Sequence, residues 1–393
     1  MAGLDAIIYR KQPSRLDRIL AQPHRYIAQT LYRLQPTVAL PNPDRLGNSS
    51  IASSNELKVV CISDTHNNQF QDIPDSDILV HAGDITENGT IEELQKSIDW
   101  LDSLPHKYKV VIAGNHDRCL DPNHKSPSNG AVNWKGLLYL QDSSIVLNIP
   151  GKSRAVKIYG NPSSPKHGTS TFQYPRSEDF WKNKVPEDVD ILVTHAPPRY
   201  HLDSNAGCAS LIQEIWRVRP KLHIFGHIHS GRGTEVLAYD QFQRRYERLS
   251  EKEHVVVNII LMLWYLAIKF LYSICRIDPK NGETILVNAT MIGHDFNIHL
   301  PAAPRPINCC IVIFRLNKYF PLEIPKWYAK ALAMYTKGID RVVPIVQGRM
   351  GQYKLAMLDR EFSSTFLAWN QYGVKLDRAQ VVLEDKEYAP MAK

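Results

Sequence analysis

The sequence predicts an α/β fold with much parallel sheet, and three observations support this prediction. Short β-branched runs recur from residue 57 onward, and each of them ends in a polar cluster. Segments with a helical pattern lie between these runs, for example at 90–104 and 208–219. Apolar runs of this length that are bounded by turn residues are typical of strands buried on both faces. Strands that alternate with helices form parallel sheets, and ligands bind beyond the carboxyl ends of such strands.

The strand pattern covers the middle of the chain. The first six strands are expected at 57–63, 77–83, 108–114, 156–160, 190–194 and 221–226. Two later runs, at 284–290 and 308–316, have the same character and are expected to complete a sheet. A single α/β domain is therefore predicted over residues 57–316, with a hydrophobic insertion at about 240–278.

The two ends of the chain have a different composition. Residues 1–56 are predicted to be a leader and linker, because a basic and apolar first part, through about residue 34, gives way to a part rich in Pro, Asn and Ser. The first part could be an amphipathic helix, or the whole leader could be mobile. Residues 317–393 are a C-terminal extension with a helical tendency but no chemical motif, and their role stays open.

The segment 255–275 is strongly apolar. Its 21 residues approach the roughly 20 that a helix needs to span a bilayer, but Asn258 and Lys269 interrupt it. The segment could lie on a membrane surface or dip into one leaflet, it could span the bilayer, or it could pack on the domain itself.

Composition and charge restrict the class of protein. The hydrophobic fraction of 44% and charged fraction of 22% are typical of a globular chain. A net charge of +7 suits a phosphate-bearing partner or an anionic surface, but it is too evenly spread to indicate nucleic-acid binding. The six cysteines form no C-x-x-C pair and no secretory signal is evident, so the protein is expected to be intracellular, either cytoplasmic or peripherally membrane-associated, and not secreted.

Side chains that can bind metal ions or transfer protons collect at the predicted strand ends. They are Asp64, His66, Asp84, Asn115, His116, His195, His227 and His229. A single histidine after a strand is usually structural, but independent accidents rarely produce such a joint pattern. Imidazole suits Zn and Fe, while carboxylate oxygen suits harder ions such as Mn. The set is therefore expected to bind two divalent metal ions (Mn, Fe or Zn) with one shared ligand.

These residues fall into five motifs. The motifs are D-x-H at 64–66, GD at 83–84, GNHD at 114–117, THAPP at 194–198 and GHIH at 226–229. In order and spacing they resemble the motifs of the calcineurin-like metallophosphoesterases, and the details THAPP, YGNPSSP and VNA resemble the branch of metallophosphoesterase-domain-containing proteins. The resemblance covers about residues 57–316, apart from an insertion at 234–283. It implies a four-layer α/β/β/α sandwich with two mixed sheets.

The resemblance also implies a role for each residue. One metal ion would be held by Asp64, His66, Asp84 and His229. The other would be held by Asp84, Asn115, His195 and His227. His116 would not be a ligand but would stabilise the phosphoryl group or protonate the leaving oxygen, and Asp117 would orient it by accepting its ring N–H.

The predicted function is metal-dependent hydrolysis of a phosphoric ester, most simply by a phosphodiesterase in which a metal-bridging hydroxide attacks phosphorus in line. The branch resemblance favours phosphodiesters, among them cyclic nucleotides. Two alternatives stay open: a phosphomonoesterase or protein phosphatase with the same core, and a metal-binding scaffold protein with little catalytic activity. The sequence does not predict the oligomeric state.

Overall fold

The protein is built from strands and helices that alternate along most of the chain. The helices are α1 (Arg15–Ala21), α2 (Pro23–Arg33), α3 (Ile91–Ser103), α4 (Ala209–Val218), α5 (Gln241–Ser250) and α6 (Val255–Ile274). The strands are β1 (Glu56–Ile62), β2 (Ile78–Ala82), β3 (Tyr108–Ile112), β4 (Leu137–Tyr139), β5 (Ser143–Leu147), β6 (Val156–Asn161), β7 (Ser164–Pro165), β8 (Gln173–Tyr174), β9 (Ile191–Thr194), β10 (Leu222–Phe225), β11 (Gly233–Leu237), β12 (Thr284–Asn288) and β13 (Cys310–Arg315).

This computed structural model describes residues 15–36, 56–124, 132–275, 282–292 and 310–315, which belong to one unit of the chain. The predicted C-terminal extension 317–393 lies outside the described residues, as do the first 14 residues and most of the predicted linker. In the described part of the leader, the helices α1 and α2 lie within its first part, for which the sequence leaves both an amphipathic helix and a mobile segment open.

Two mixed sheets form the centre of the described unit. The first has the strand order β13-β1-β2-β3-β4, in which β13 is antiparallel to β1 and the other four strands are parallel. The second has the order β11-β12-β10-β9-β6-β5, in which the four inner strands are parallel and the two edge strands are antiparallel. The short strands β7 and β8 pair separately.

Apolar side chains fill the space between the two sheets. Val59 and Val80 of the first sheet belong to the same buried cluster as Ile158 and Ile224 of the second. This interlayer core explains the continuous apolar runs, because each inner strand also packs a helix on its other face.

One helix covers each sheet from outside. Helix α3 packs on the first sheet through Leu94 and Ile98, and α4 packs on the second through Leu211 and Ile215. Helix α3 begins where the sequence predicts, because the Thr90 side chain accepts a hydrogen bond from the backbone N–H of Glu93 at 3.2 Å. The predicted four-layer α/β/β/α sandwich is confirmed.

The hydrophobic insertion forms a separate helical layer. Helices α5 and α6 pack with α2, and Tyr32 of α2 stacks on Tyr246 and Phe242 of α5 at ring-centroid distances of 4.1 and 5.8 Å. Met262 and Leu266 of α6 complete this cluster.

Candidate metal centre

The carboxyl ends of strands from both sheets meet at one site. Asp64 follows β1, Asp84 follows β2 and Asn115 follows β3, while His195 follows β9 and His227 follows β10. Parallel strands within each sheet place these ends at the same edge, and packing of the two sheets brings the edges together.

Two groups of potential ligand atoms occupy this edge. The ligand atoms of Asp64, His66 and His229 lie within 4.8 Å of one another, and so do those of Asp84, His195 and His227. Asp84 lies between the groups, because its Oδ2 atom is 3.9 Å from Nε2 of His66 and 3.3 Å from Nε2 of His195. The two histidines of the GHIH motif therefore point to different groups, as the resemblance implies.

The backbone is strained at four of these residues. Asp64, His66, Asp84 and His227 have φ values of 53°, 44°, 52° and 65°, in the left-handed region that non-glycine residues rarely adopt. Each such conformation costs on the order of 1–3 kcal/mol and persists where the surrounding structure holds it. The strain turns these side chains out of the strand direction and into the shared pocket.

Two glycines allow this close packing. Gly83 has a φ of 97°. Gly226 has an ordinary φ, but a Cβ atom there would lie 2.0 Å from Oδ2 of Asp64, so only glycine lets the chain pass. The chain can therefore turn sharply at the strand ends because Gly83 adopts a positive φ and because Gly226 leaves room for the Asp64 carboxylate.

His195 is oriented by the backbone of the other sheet. Its Nδ1 atom lies 2.9 Å from the carbonyl oxygen of Ala82, to which a ring N–H donates. In the neutral ring, Nε2 then carries a lone pair, yet it faces Oδ2 of Asp84 at 3.3 Å and Oδ1 of Asn115 at 2.9 Å. Three electron-rich atoms that converge in this way suit a cation, and the buried Nδ2 of Asn115 has no hydrogen-bond partner.

The charge balance of the site favours cations as well. Burial by itself lowers the pKa of His195, but the charge of Asp84 and its hydrogen bond outweigh burial and raise the pKa to about 9. Burial raises the pKa of Asp64, but the hydrogen bond and charge of His229 outweigh it and hold that pKa below its ordinary value. Buried carboxylates in this pocket therefore attract positive charge, which a divalent ion supplies with neutral imidazoles as ligands.

Backbone and hydroxyl donors hold Asp64 in place. Its two oxygens both lie 3.0 Å from the backbone N of His227, and Oδ2 accepts a hydrogen bond from Oγ1 of Thr290 at 3.0 Å. The contact with His227 joins the first sheet to the second directly at the site.

Glu87 is a further acidic residue of the site, and it belongs to none of the five sequence motifs. Its Oε2 atom lies 3.0 Å from Nδ1 of His66, opposite the Nε2 atom that faces Asp84. Burial lowers the pKa of His66, but the Glu87 carboxylate, 3.0 Å from Nδ1, and the charge of Asp84 outweigh burial and raise the pKa to about 9. In the sequence, the only indication of this role is that Glu87 is a carboxylate three residues after Asp84. Its direction toward His66 depends on the fold.

His116 lies beside the two groups. Its backbone N–H donates to Oδ1 of Asp84 at 2.8 Å, and its ring meets the ring of His66 edge to face at 4.7 Å between centroids. Its Nδ1 atom is 2.8 Å from the carbonyl oxygen of Glu87, which leaves Nε2 as the ring atom that can meet a substrate. His66, Glu87 and His116 form a third group with atoms within 4.8 Å, so His116 also has ligand-type neighbours.

Asp117 does not have the contact that was expected of it. Its carboxylate is fully buried and accepts hydrogen bonds from the backbone N–H groups of Ile85, Thr86 and Gly114. The carbonyl oxygen of Glu87, and not the Asp117 carboxylate, accepts the hydrogen bond from Nδ1 of His116. The prediction that Asp117 orients His116 through its ring N–H is wrong, because these backbone donors and the Thr86 hydroxyl occupy the carboxylate. Asp117 instead holds the loops after β2 and β3 together.

Comparison with known proteins agrees with the fold. The family model described as calcineurin-like phosphoesterase matches residues 57–231. A UPF0046 protein of Caenorhabditis elegans is 36% identical over 200 residues, which are 46% of this chain and 71% of that protein. The chain belongs to the calcineurin-like phosphoesterase family, and its site has the donor types with which this family binds divalent metals.

Two other relatives match a smaller share of their own length. Probable rhamnogalacturonate lyase C of Emericella nidulans is 43% identical over 299 residues, which are 74% of this chain and 27% of that protein. Metallophosphoesterase domain-containing protein 1 of Homo sapiens is 39% identical over 208 residues, which are 45% of this chain and 62% of that protein. The chain thus spans less than two thirds of either relative, and the lyase name belongs to a protein of which about a quarter is matched.

Proposed function

We propose that this protein is a divalent-metal-dependent phosphodiesterase that acts on small phosphodiesters, of which cyclic nucleotides are the first class to test. The observation that carries the proposal is the position of Asp84 between two groups of ligand atoms. One group, completed by Asp84, would hold a first cation, and the other, with Asn115, a second. When bound, the cations supply an acidified water and neutralise charge on the phosphoryl oxygens.

The residues of the chain have separate tasks in this reaction. Asp64 and Asp84 provide anionic oxygens, and the imidazoles complete each group without adding negative charge. The Glu87 carbonyl fixes the His116 ring so that Nε2 faces outward. His116 can then donate a proton to the leaving oxygen or a hydrogen bond to the phosphoryl group.

The preference for a diester over a monoester rests on the motifs of the chain. The segments THAPP, YGNPSSP and VNA resemble the branch of metallophosphoesterase-domain-containing proteins, and this resemblance favours phosphodiesters.

The test compares esters and metals on the full chain. Purified protein is assayed for metal content and then for hydrolysis of bis-p-nitrophenyl phosphate, p-nitrophenyl phosphate and the 2′,3′- and 3′,5′-cyclic nucleotides with Mn²⁺, Zn²⁺ or Mg²⁺. Faster turnover of the diesters is the expected result. A preference for the monoester would establish the phosphatase alternative, and a metal-loaded protein that hydrolyses none of these esters would establish the scaffold alternative.

A further inference from the structure

Helix α6 presents its apolar face to solvent. Its exposed large side chains are Val256, Val257, Ile260, Leu263, Trp264, Phe270, Leu271 and Ile274. They recur at spacings of three, four and seven residues and so form one stripe along the helix. Eight of the 13 large hydrophobic side chains that are exposed in the described ranges belong to this one helix, which makes the stripe a concentrated feature rather than scattered exposure.

The charged side chain and the amide side chain of α6 point the other way. Lys269 is directed into the protein, where its Nζ atom lies 2.6 Å from Oδ2 of Asp240 and 2.9 Å from Oε1 of Gln35. Asn258 is buried, and its Nδ2 donates to the carbonyl oxygen of Glu253 at 2.7 Å. The two residues that interrupt the apolar segment in the sequence therefore do not interrupt the exposed stripe. This orientation is the reverse of an ordinary surface helix, which turns its charged face to water.

The inner side of α6 fixes how the helix can meet a bilayer. Met262 and Leu266 pack against Tyr32 of α2 and against Phe242 and Tyr246 of α5. The helix has 20 residues, of which only Asn258, Met262 and Leu266 are buried, so it is not a core helix. A helix that crossed the bilayer would lose the contacts of Met262 and Leu266 with α2 and α5. The geometry therefore suits a helix that lies in the membrane plane.

Positive charge accompanies the apolar stripe. Apart from the inward Lys269, which pairs with Asp240, residues 15–35 and 241–275 together contain eight Lys or Arg and four Asp or Glu, a balance of +4. Leu16 and Leu20 of α1 are also exposed, at 69% and 79%. Apolar side chains flanked by basic residues are the combination that binds the interface of anionic membranes.

We infer that α6, together with α1, docks this protein on the surface of an anionic lipid bilayer, with the stripe buried among the acyl chains. A protein partner, including a second copy of this chain, would be expected to find about one hydrogen bond per 100–200 Å² of interface. The large side chains of the stripe offer only the indole N–H of Trp264, so the bilayer is the better match. Membrane docking is independent of the ester that the metal site hydrolyses.

The test uses vesicle sedimentation with the full chain. The unaltered protein is expected to sediment with vesicles of phosphatidylcholine and phosphatidylserine, and more weakly with phosphatidylcholine alone. The variant Ile260→Gln/Leu263→Gln/Leu271→Gln should lose more than about tenfold in vesicle affinity, since each of these side chains leaves an apolar environment. Val146→Gln is the matched control, because Val146 is 55% exposed on strand β5, and it should bind like the unaltered protein.

A second measurement does not depend on the folding of the triple variant. Trp264 is 62% exposed, and brominated lipids should quench its fluorescence in the bound protein, with the quenched component absent from Trp264→Phe. An unaltered protein that stays in the supernatant with both vesicles, or whose Trp264 is not quenched, overturns the inference. A dimer in light scattering that the triple substitution converts to a monomer, without vesicle binding by either form, would assign the stripe to a second copy instead.

Discussion

The imidazole of His195, after β9 of the second sheet, lies 2.9 Å through Nδ1 from the carbonyl oxygen of Ala82, in β2 of the first sheet. This contact crosses the sandwich at the site and sets the direction of Nε2. The Nε2 atom lies 3.3 Å from Oδ2 of Asp84, which follows Ala82 by two residues. The packing of the two sheets therefore determines the donor geometry, and a cation site here depends on the fold as a whole.

Asp84→Asn should weaken the binding of both metal ions. The substitution keeps the shape of the side chain but removes the negative charge that lies between the two ligand groups. We expect metal affinity to fall by about 100-fold or more. Substituting a residue that only hydrogen-bonds to a metal ligand typically costs about 10- to 100-fold, and Asp84 would be a ligand itself. Elemental analysis after dialysis against graded metal concentrations measures this change.

Asp188→Asn provides the control for that experiment. Asp188 is exposed and pairs with Lys157 at 2.7 Å, away from the site. It should retain normal metal content. An Asp84→Asn protein with unchanged stoichiometry and affinity would mean that Asp84 is not a shared ligand.

His116→Ala should separate turnover from metal binding. The His116 ring lies beside both ligand groups but donates Nδ1–H to the carbonyl of Glu87. If it acts on the substrate as an acid or a hydrogen-bond donor, kcat falls by about 100-fold or more while metal content stays constant. His124→Ala, at an exposed position, should change neither. Loss of metal from His116→Ala would place this residue in the third group of ligand atoms as a true ligand.

Glu87→Gln tests the residue that positions His66. Its carboxylate lies 3.0 Å from Nδ1 of His66 and so favours the tautomer that leaves Nε2 free for a metal ion. Removing the charge should lower metal affinity by about 10- to 100-fold, with a smaller change in kcat at saturating metal. Glu92→Gln, which alters an exposed carboxylate of α3, is the control. Equal metal affinity in the two variants would assign Glu87 no part in holding His66.

The inner strands and the polar side chains that follow them were predictable from the sequence for a physical reason. A strand buried on both faces needs a continuous apolar run, and the polar residues that end such runs stand out, as at Asp64 and His195. The edge strands lack this signal. Strand β5, for example, leaves Ser143 and Ser144 exposed, so its composition resembles that of a loop.

Contacts between segments that are distant in the sequence were not predictable. Thr290 donates to Asp64 across 226 positions, and no local pattern contains that distance. The partner of Asp117 was also mistaken, because adjacency to His116 in the sequence says little about which way a carboxylate turns in a tight loop. The same holds for Lys269, whose inward direction depends on Asp240 and Gln35.

A buried histidine outside the metal site should make stability depend on pH. His201 is fully buried, and its Nδ1 and Nε2 atoms lie 2.6 Å from Oε1 of Glu235 and 3.2 Å from Oε1 of Glu247. Burial by itself lowers the pKa of His201, but the charge and hydrogen bond of Glu235, followed by those of Glu247, outweigh it and raise the pKa to about 10. This ion cluster joins strand β11 to helix α5 and so attaches the helical layer to the second sheet.

The sign of the effect follows from the raised pKa. Between the ordinary pKa of 6.5 and the folded value of about 10, the folded protein holds a proton on His201 that the unfolded chain has lost. The stabilisation is complete below pH 6.5 and is lost as the pH rises toward 10, at about 1.4 kcal/mol per pH unit for this one proton. Denaturant unfolding at a series of pH values should show this decline. Glu235→Gln should lower the folded pKa of His201, so that the decline ends at a lower pH and the total loss is smaller, whereas Glu178→Gln, at an exposed position, should leave both unchanged. If Glu235→Gln and the unaltered protein lose the same stability over the same pH range, Glu235 does not hold a charged His201 in the folded state.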